Sequence, residues 1–186
     1  MDDMIEVERY ELTDGRRYTF ALERRTFIKL FGGGLAVMVA AGDGLAQQES
    51  GRPSQARRGD VPEVAAWIHI DESGHVRVCT GKTEIGQNIR TSLAQTVADE
   101  LRVPLAAVEM LMADTSKVPF DQGTFGSLST PRMAPQLARA AATAREMLID
   151  QAAARLQLDR SLLEARDGRI VAPGERSVSY GDLTKG

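Results

Sequence analysis

The sequence predicts an α+β fold in which two main helices pack on a small mixed sheet. Ala65–Ile70 and His75–Thr80 alternate apolar and polar residues, as strands with one buried face do. Between Ile89 and Leu101, apolar residues instead recur every four positions, as on one side of a helix. With 186 residues, 42% of them apolar, the chain is long enough for one domain with its own core.

The first element expected is a β-hairpin formed by the two alternating segments. They flank Asp71–Gly74, a run of turn-forming residues. Their spacing puts Ile68 and Ile70 on one face and Val76 and Val78 on another. The chain therefore enters its sheet through two adjacent strands.

The first main helix follows, and a third strand comes after it. Asn88 is well suited to cap the helix start. Ile89–Leu101 carries the helical spacing, and Val108–Met112 alternates as a half-buried strand. These elements complete the predicted sheet and place one helix on it.

A long polar loop from Asp114 to Pro135 leads to the second main helix, the alanine-rich Leu137–Leu156. Loops of this length are usually functional or disordered. Leu163–Val171 indicates a second hairpin that turns at Asp167–Gly168, and a further element begins at Tyr180.

Composition limits the possible partners and metals. The formal charge is -3 and the basic residues form no stripe, which argues against a nucleic-acid partner. Cys79 is the one cysteine, so this chain cannot form an intrachain disulfide or hold an iron–sulfur cluster by itself. His69 and His75 flank the first turn without a third ligand, so we interpret them as solvated strand residues. No metal ligand is predicted.

The N-terminal region resembles a twin-arginine export signal. Glu23–Lys29 carries the two arginines, and the weakly apolar run Leu30–Ala41 is shorter than the about 20 residues of a membrane-spanning helix. Gly44–Ala46 has the small-x-small pattern of a cleavage site. An ordinary amphipathic helix with a basic start is the alternative.

The expected organisation is therefore a signal region (1–46), a polar linker (47–62) and a domain (63–186). The signal implies a periplasmic location, and an uncleaved leader would leave the protein associated with the membrane. Export of already folded proteins is implied by the resemblance and suits a protein that acquires a cofactor in the cytoplasm.

Gly81–Thr83 looks like the end of a phosphate-binding loop. That loop needs another glycine five positions before its Gly-Lys-Thr begins, where this chain has the strand residue Val76. The match is therefore false, and a nucleoside triphosphatase is excluded.

Two other glycine-bearing bends are candidate binding segments. Gly86–Gln87 precedes the first helix, whose free amides would favour an anion, and Gly123–Pro131 offers hydroxyls and successive N–H groups before the second helix. Both bends could converge on one phosphorylated ligand. Alternatively, Gly86 is a turn glycine and Ser127–Thr130 only caps a helix, and spacing alone does not decide between these hypotheses.

Gly81–Gln87 followed by Gly123–Thr130 resembles the molybdenum hydroxylase large subunits, the xanthine dehydrogenase and aldehyde oxidase family, particularly its isoquinoline 1-oxidoreductase type. The family has glycine where this chain has Asn88, and asparagine tolerates the left-handed backbone that the turn needs. The resemblance implies molybdopterin, in its cytosine dinucleotide form, as the cofactor. It also implies that Gly86 and Gln87 contact the pyranopterin. The phosphate end of the cofactor would be bound by Gly126, Ser127, Leu128 and Ser129.

The resemblance also implies the reaction and the partners. The family hydroxylates N-heteroaromatic or aldehyde substrates with water-derived oxygen and passes electrons to a subunit that carries iron–sulfur clusters. A periplasmic location favours a cytochrome c as the electron acceptor. The expected partners are the iron–sulfur small subunit and the remainder of the large subunit.

No catalytic residue is predicted in this chain, because the family's base is a glutamate beyond it. We assign Glu84 to the supporting turn instead. Residues 63–186 are thus a molybdopterin-binding domain that is incomplete at its C-terminus, and the chain alone is expected to be inactive. The alternative is a non-catalytic exported module that keeps the fold and binds a partner.

Overall fold

The computed structural model describes residues 33–40, 64–121, 123–127 and 129–185. Two sheets and two main helices form the predicted α+β architecture. The strands are β1 Leu35–Ala40, β2 Val64–Ile70, β3 Val76–Thr80, β4 Val108–Met112, β5 Glu164–Arg166, β6 Arg169–Val171 and β7 Ser177–Ser179. The helices are α1 Ile89–Leu101, α2 Ser129–Leu156 and the short α3 Tyr180–Thr184, with 3₁₀ turns at Leu105–Ala107 and Arg160–Leu162.

The larger sheet is mixed, as predicted, with strand order β1-β2-β3-β4. β1, β2 and β3 pair antiparallel, and β4 pairs parallel to β3. A parallel neighbour requires a crossover connection, which α1 provides between β3 and β4. The predicted hairpin turn is closed by the Asp71 carboxylate, whose Oδ1 accepts the N–H groups of Ser73 at 2.8 Å and His75 at 3.1 Å.

The core lies between this sheet and the two main helices. Ile68 pairs with Val78 and Ile70 with Val76, so all four side chains share one face and are fully buried. The expectation of two different faces is wrong, because directly opposed residues of an antiparallel pair point the same way. The helices cover this face with the following buried residues: Leu93, Val97 and Leu101 from α1, and Leu137, Ala141, Ala144 and Leu148 from α2.

The opposite face of the sheet carries a second apolar cluster of Trp67, Cys79 and Val118. Val118 comes from the loop after β4, which therefore lies across this side of the sheet. Burial raises the pKa of the Cys79 thiol to about 12. Because the thiolate is the nucleophilic form, Cys79 is an inert core residue.

His69 is a core residue as well. It is 1% exposed, its Nε2 lies 3.2 Å from the carbonyl oxygen of Gly33, and burial lowers its pKa. The interpretation of His69 as a solvated residue is therefore wrong, while His75 is half-buried at the turn. Within the described ranges, no three His, Cys, Asp or Glu side chains come together as a metal site.

Part of the predicted signal region forms the edge strand β1. Leu35 pairs with Ile70 and Val37 with Ile68, and the side chains of Leu35 and Val37 pack against the core. The arginine pair, the cleavage pattern and the linker lie outside the described residues, so the export signal stays a prediction. Where the structure describes the chain, no helix is long and apolar enough to cross a membrane.

Helix α2 begins at Ser129, eight residues before its predicted start at Leu137. The sequence interpretation extended the preceding loop through Pro131 and Pro135. Pro131 lies in the first turn, where a missing N–H costs nothing, and Pro135 is tolerated inside the helix. The loop therefore ends before Ser129.

The second predicted hairpin is confirmed and carries an additional strand. Asp167 and Gly168 have φ values of 48° and 72°, the pair of positive angles that a tight two-residue hairpin turn requires. β7 pairs with β6 and completes a three-stranded antiparallel sheet. Tyr180, where a new element was expected, begins α3.

Candidate functional site

The two predicted bends lie at the same end of the helix pair. Gly86–Gln87 immediately precedes α1, and Gly126–Ser127 immediately precedes α2. The hydroxyl oxygens of Ser92 and Thr130, in the first turns of the two helices, are 3.4 Å apart. Both bends are therefore on one side of the molecule, as the hypothesis of a shared site requires.

Direct hydrogen bonds join the two segments. The Thr83 N–H donates to Thr124 Oγ1 at 2.8 Å, between residues 41 positions apart in the chain. Lys82 Nζ donates to Asp121 Oδ1 at 2.7 Å and to the Gly123 carbonyl oxygen at 2.8 Å. We call this set of contacts the junction. It holds the segment after β3 against the loop before α2.

In the first bend, Glu84 holds the start of α1. Its Oε1 accepts the N–H groups of Gly86 at 2.6 Å and Asn88 at 3.2 Å, and its Oε2 accepts the Arg90 N–H at 3.0 Å. The hydrogen bond from the Arg90 N–H, followed by those from the other amides, keeps the pKa of Glu84 below its usual value. Glu84 therefore lies in the supporting turn.

This arrangement corrects one expectation. The amides at the start of α1 were predicted to favour a bound anion, but the Glu84 carboxylate already accepts those of Asn88 and Arg90. The positive end of the α1 dipole is thus neutralised from within the chain. The first bend suits the uncharged, polar part of a ligand better than its phosphate.

Replacing Glu84 with Gln is expected to loosen this turn. Gln has one carbonyl oxygen in place of two carboxylate oxygens, so it cannot accept from both Asn88 and Arg90 as Glu84 does. Amide hydrogen exchange at those two positions should become faster. In the unmodified chain the same loosening should set in at low pH, because a carboxylate with a depressed pKa loses its stabilising contribution as pH falls through that pKa.

The matched control is Glu100→Gln on the same helix. Glu100 pairs with the Arg145 side chain at 3.1 Å, and no amide at the start of α1 depends on it. Exchange at Asn88 and Arg90 should be unchanged in this variant. Unchanged exchange in the Glu84 variant would contradict the assigned role.

The remaining surface of the first bend is open. Gly86 has a φ of 97°, and no atom lies within 4 Å of the position that a Cβ would take, so a ligand can approach its backbone closely. Gln87 folds back on the turn, accepting the Ile85 N–H at 2.7 Å and donating to the Thr83 carbonyl oxygen at 2.9 Å. One proton of its side-chain NH₂ group remains for a ligand.

Asn88 adopts the left-handed conformation with a φ of 62°, so the turn accommodates the residue that departs from the family pattern. Its side chain makes no capping hydrogen bond. Asn88 thus occupies the N-cap position as predicted, but the Glu84 side chain, from four positions earlier in the chain, accepts the amides there.

The second bend has the opposite electrostatic character. Gly126 and Ser127 are exposed and left-handed, with φ values of 62° and 55°. They lead into the 28-residue α2, which has no acidic residue in its first turn. Ser129 opens the helix and is nearly buried, whereas Leu128 lies outside the described residues. Unlike the start of α1, this helix start suits an anionic group.

The arrangement therefore fits a ligand with a polar ring system and a phosphate. The open space at Gly86 lets a ligand approach the backbone closely, and the bend before α2 offers a helix start that suits an anion. The junction residues, especially Lys82 and Asp121, were missed by the sequence interpretation. The one sequence feature that pointed to them was Gly81–Thr83, which had been rejected as a phosphate-binding loop. Lys82 of this segment is buried.

The chain matches the family model described as "Molybdopterin cofactor-binding domain" over residues 8–186. It is 37% identical to a nicotinate dehydrogenase subunit of Pseudomonas putida over 124 residues, which are 67% of this chain and 10% of that protein. It is 36% identical to a xanthine dehydrogenase molybdenum-binding subunit of Escherichia coli O157:H7, covering 66% of this chain and 17% of that protein.

Solved structures agree with the sequence relatives. The Cu,Mo-containing CO dehydrogenase superposes with a TM-score of 0.57 and 27% identity, over 81% of this chain and 18% of that chain. Quinoline 2-oxidoreductase from Pseudomonas putida 86 gives a TM-score of 0.55 and 25% identity, over 64% of this chain and 15% of that chain. The chain thus spans less than a fifth of each of these relatives.

Proposed function

Because the chain belongs to the molybdopterin cofactor-binding domain family of molybdenum hydroxylase large subunits, we propose that its two bends hold molybdopterin between them. The observation that carries this proposal is the junction, which brings two segments 41 positions apart to one side of the molecule. Two segments held together in this way at the starts of two helices can contact one ligand.

Each bend has its own task in this proposal. Gly86 allows the pterin to approach the backbone, and Gln87 donates its remaining amide proton to the pterin's polar edge. Gly126, Ser127, Leu128 and Ser129 provide amides and hydroxyls for the phosphate end, and the α2 dipole favours its negative charge. The cytosine dinucleotide form is proposed from the family resemblance.

The assembled enzyme is proposed to hydroxylate an N-heteroaromatic or aldehyde substrate. When bound, the cofactor supplies the oxidation of a substrate carbon with water-derived oxygen. The residues of this chain orient the cofactor and exclude water from its polar edge, while electrons leave through an iron–sulfur subunit. Export by the twin-arginine route to the periplasm, with a cytochrome c as acceptor, belongs to the same proposal.

The remainder of the large subunit is proposed to cover the site. Ile85, Phe120 and Phe125 are 75%, 52% and 64% exposed, and all three belong to the segments that the junction joins. Exposed apolar side chains grouped in this way mark an interaction surface. The chain spans only 10 to 17% of the two sequence relatives compared above, which favours further polypeptide of the same subunit as the occupant.

The proposal is tested by the molybdenum content of the enzyme assembled with its full large subunit. Gln87→Ala removes one donor to the cofactor and loosens the turn, so we expect molybdenum retention to fall by about tenfold. Gln95→Ala is the matched control, since Gln95 is an exposed glutamine on α1, away from the bend. Full retention of molybdenum in the Gln87 variant would count against the proposed site.

The isolated chain forms the second arm of the same experiment. Three or four charge-assisted hydrogen bonds of roughly 1.5 to 3 kcal/mol each must offset an association cost of about 4 to 15 kcal/mol. The balance is near zero, so the chain alone should retain little molybdenum and show no turnover. One molybdenum atom per purified chain would refute this part of the proposal.

A further inference from the structure

Lys82 is a buried cation that the proposed contacts to the cofactor do not use. The whole residue is 9% exposed. Its side chain and that of its partner Asp121 are each 11% exposed. Burying two charges costs solvation free energy, and a well-packed apolar pair often stabilises a protein as well or better. The position of this pair therefore suggests a role in geometry.

Three contacts converge on the Lys82–Asp121 pair. Lys82 Nζ binds Asp121 Oδ1 at 2.7 Å and the Gly123 carbonyl oxygen at 2.8 Å. The same Asp121 Oδ1 accepts the Gly123 N–H at 2.8 Å. Lys82, from the segment that leads to the first bend, thus holds the carbonyl oxygen of Gly123, the first glycine of the second bend, and also fixes Asp121, which holds the Gly123 N–H from within the same loop.

Gly123 needs such support because of its conformation. Its φ of 134° lies where residues with a side chain are strained, and a glycine there loses much conformational freedom on ordering. Three residues later the chain turns again at Gly126 and Ser127, both left-handed. A loop with several residues at positive φ keeps one conformation only if the backbone at its start, here Gly123, is held in place.

We infer that Lys82 is the positioning residue of the proposed cofactor site, setting the distance between the two bends through Asp121 and Gly123 without touching the cofactor. This inference rests on the proposed function for its significance. The structural part of the inference is that Lys82 fixes the junction. This can be tested on the chain itself, without the cofactor.

Two amide protons report on the junction: the Thr83 N–H, bound to Thr124 Oγ1, and the Gly123 N–H, bound to Asp121 Oδ1. In Lys82→Met, their hydrogen exchange, measured by NMR on the full chain, should become faster by about tenfold or more. Lys117→Met is the control, because Lys117 forms a more exposed ion pair with Asp114 in the same loop, at 2.9 Å. Neither reporter should change in the control.

A double variant separates positioning from stability. Lys82→Met alone leaves the Asp121 carboxylate without its cation and so lowers the stability of the whole domain. Lys82→Met combined with Asp121→Asn removes both charges, while the Asn side-chain oxygen still accepts from Gly123. Urea unfolding should then return towards that of the unmodified chain, whereas the Thr83 amide should continue to exchange fast.

The inference would be overturned if, in the double variant, slow exchange of the Thr83 amide returned together with stability. It would also be overturned if the Thr83 and Gly123 amides exchanged at unchanged rates in Lys82→Met. In the assembled enzyme, the double variant should also lose molybdenum by about tenfold. If the exchange results are as expected but the unmodified enzyme holds no molybdopterin, the proposed function fails and the junction role of Lys82 stands. The two failures are therefore distinguishable.

Discussion

Gly81→Ala is expected to force the two bends apart, lowering the free energy of unfolding by about 1 to 3 kcal/mol and the molybdenum content of the assembled enzyme with it. A Cβ at Gly81 would lie 2.5 Å from Asp121 Cβ, 2.6 Å from the Pro119 carbonyl oxygen and 3.0 Å from the Asp121 backbone nitrogen. Two of these atoms are backbone, so no side-chain rotation relieves the clash. The loop before α2 must move.

Gly174→Ala is the control for this prediction. Gly174 has a φ of 73°, and no atom lies within 4 Å of its Cβ position, so the substitution introduces backbone strain of about 1 to 2 kcal/mol without a clash. Its turn connects β6 and β7, and molybdenum retention should be unaffected. Urea unfolding and metal analysis of both variants are the measurements. Equal molybdenum loss in the two variants would show that the effect does not arise at the junction.

Tyr180→Ala is expected to cost about 3 to 5 kcal/mol of unfolding free energy, as truncation of large buried aromatic residues generally does. Tyr180 is fully buried, and its hydroxyl donates to the Leu101 carbonyl oxygen at 2.6 Å. Burial raises its pKa to about 12, so the hydroxyl stays protonated and remains a donor. This contact ties α3, which directly follows β7, to the end of α1.

Tyr180→Phe separates the two contributions of this residue. Phe keeps the ring in the core but leaves the Leu101 carbonyl oxygen without its donor, which should cost about 1 to 3 kcal/mol. Urea denaturation of the three proteins gives both differences. A Tyr180→Ala variant as stable as the Phe variant would mean that the ring contributes little to packing.

The sequence predicted those elements whose signals are local. The β2–β3 hairpin, α1 and the Asp167–Gly168 turn each depend on periodicity or turn chemistry within about 15 residues. The start of α2 was misplaced because prolines were read as loop residues, although Pro131 occupies a first-turn position that tolerates proline. β1 was missed because its apolar run was assigned to an export signal, and a short edge strand has no distinct pattern of its own.

The site was predictable in position but not in its internal contacts. Glycine and hydroxyl residues before two helices indicated where a ligand could bind, and the structure brings Thr83 and Thr124 into contact. The junction pair, Lys82 and Asp121, is 39 positions apart, and no periodicity connects such residues. The expected anion site before α1 was wrong for a related reason, because nothing in the spacing shows that the Glu84 carboxylate turns back onto the helix amides.

A crystal structure of the molybdenum-loaded enzyme tests most directly whether the two bends serve one cofactor. We expect Gly86 and Gln87 to lie within hydrogen-bonding distance, about 3 Å, of the pterin, and the amides of Gly126–Ser129 to reach its phosphate. A cofactor in contact with only one bend, or with neither, would contradict the shared site.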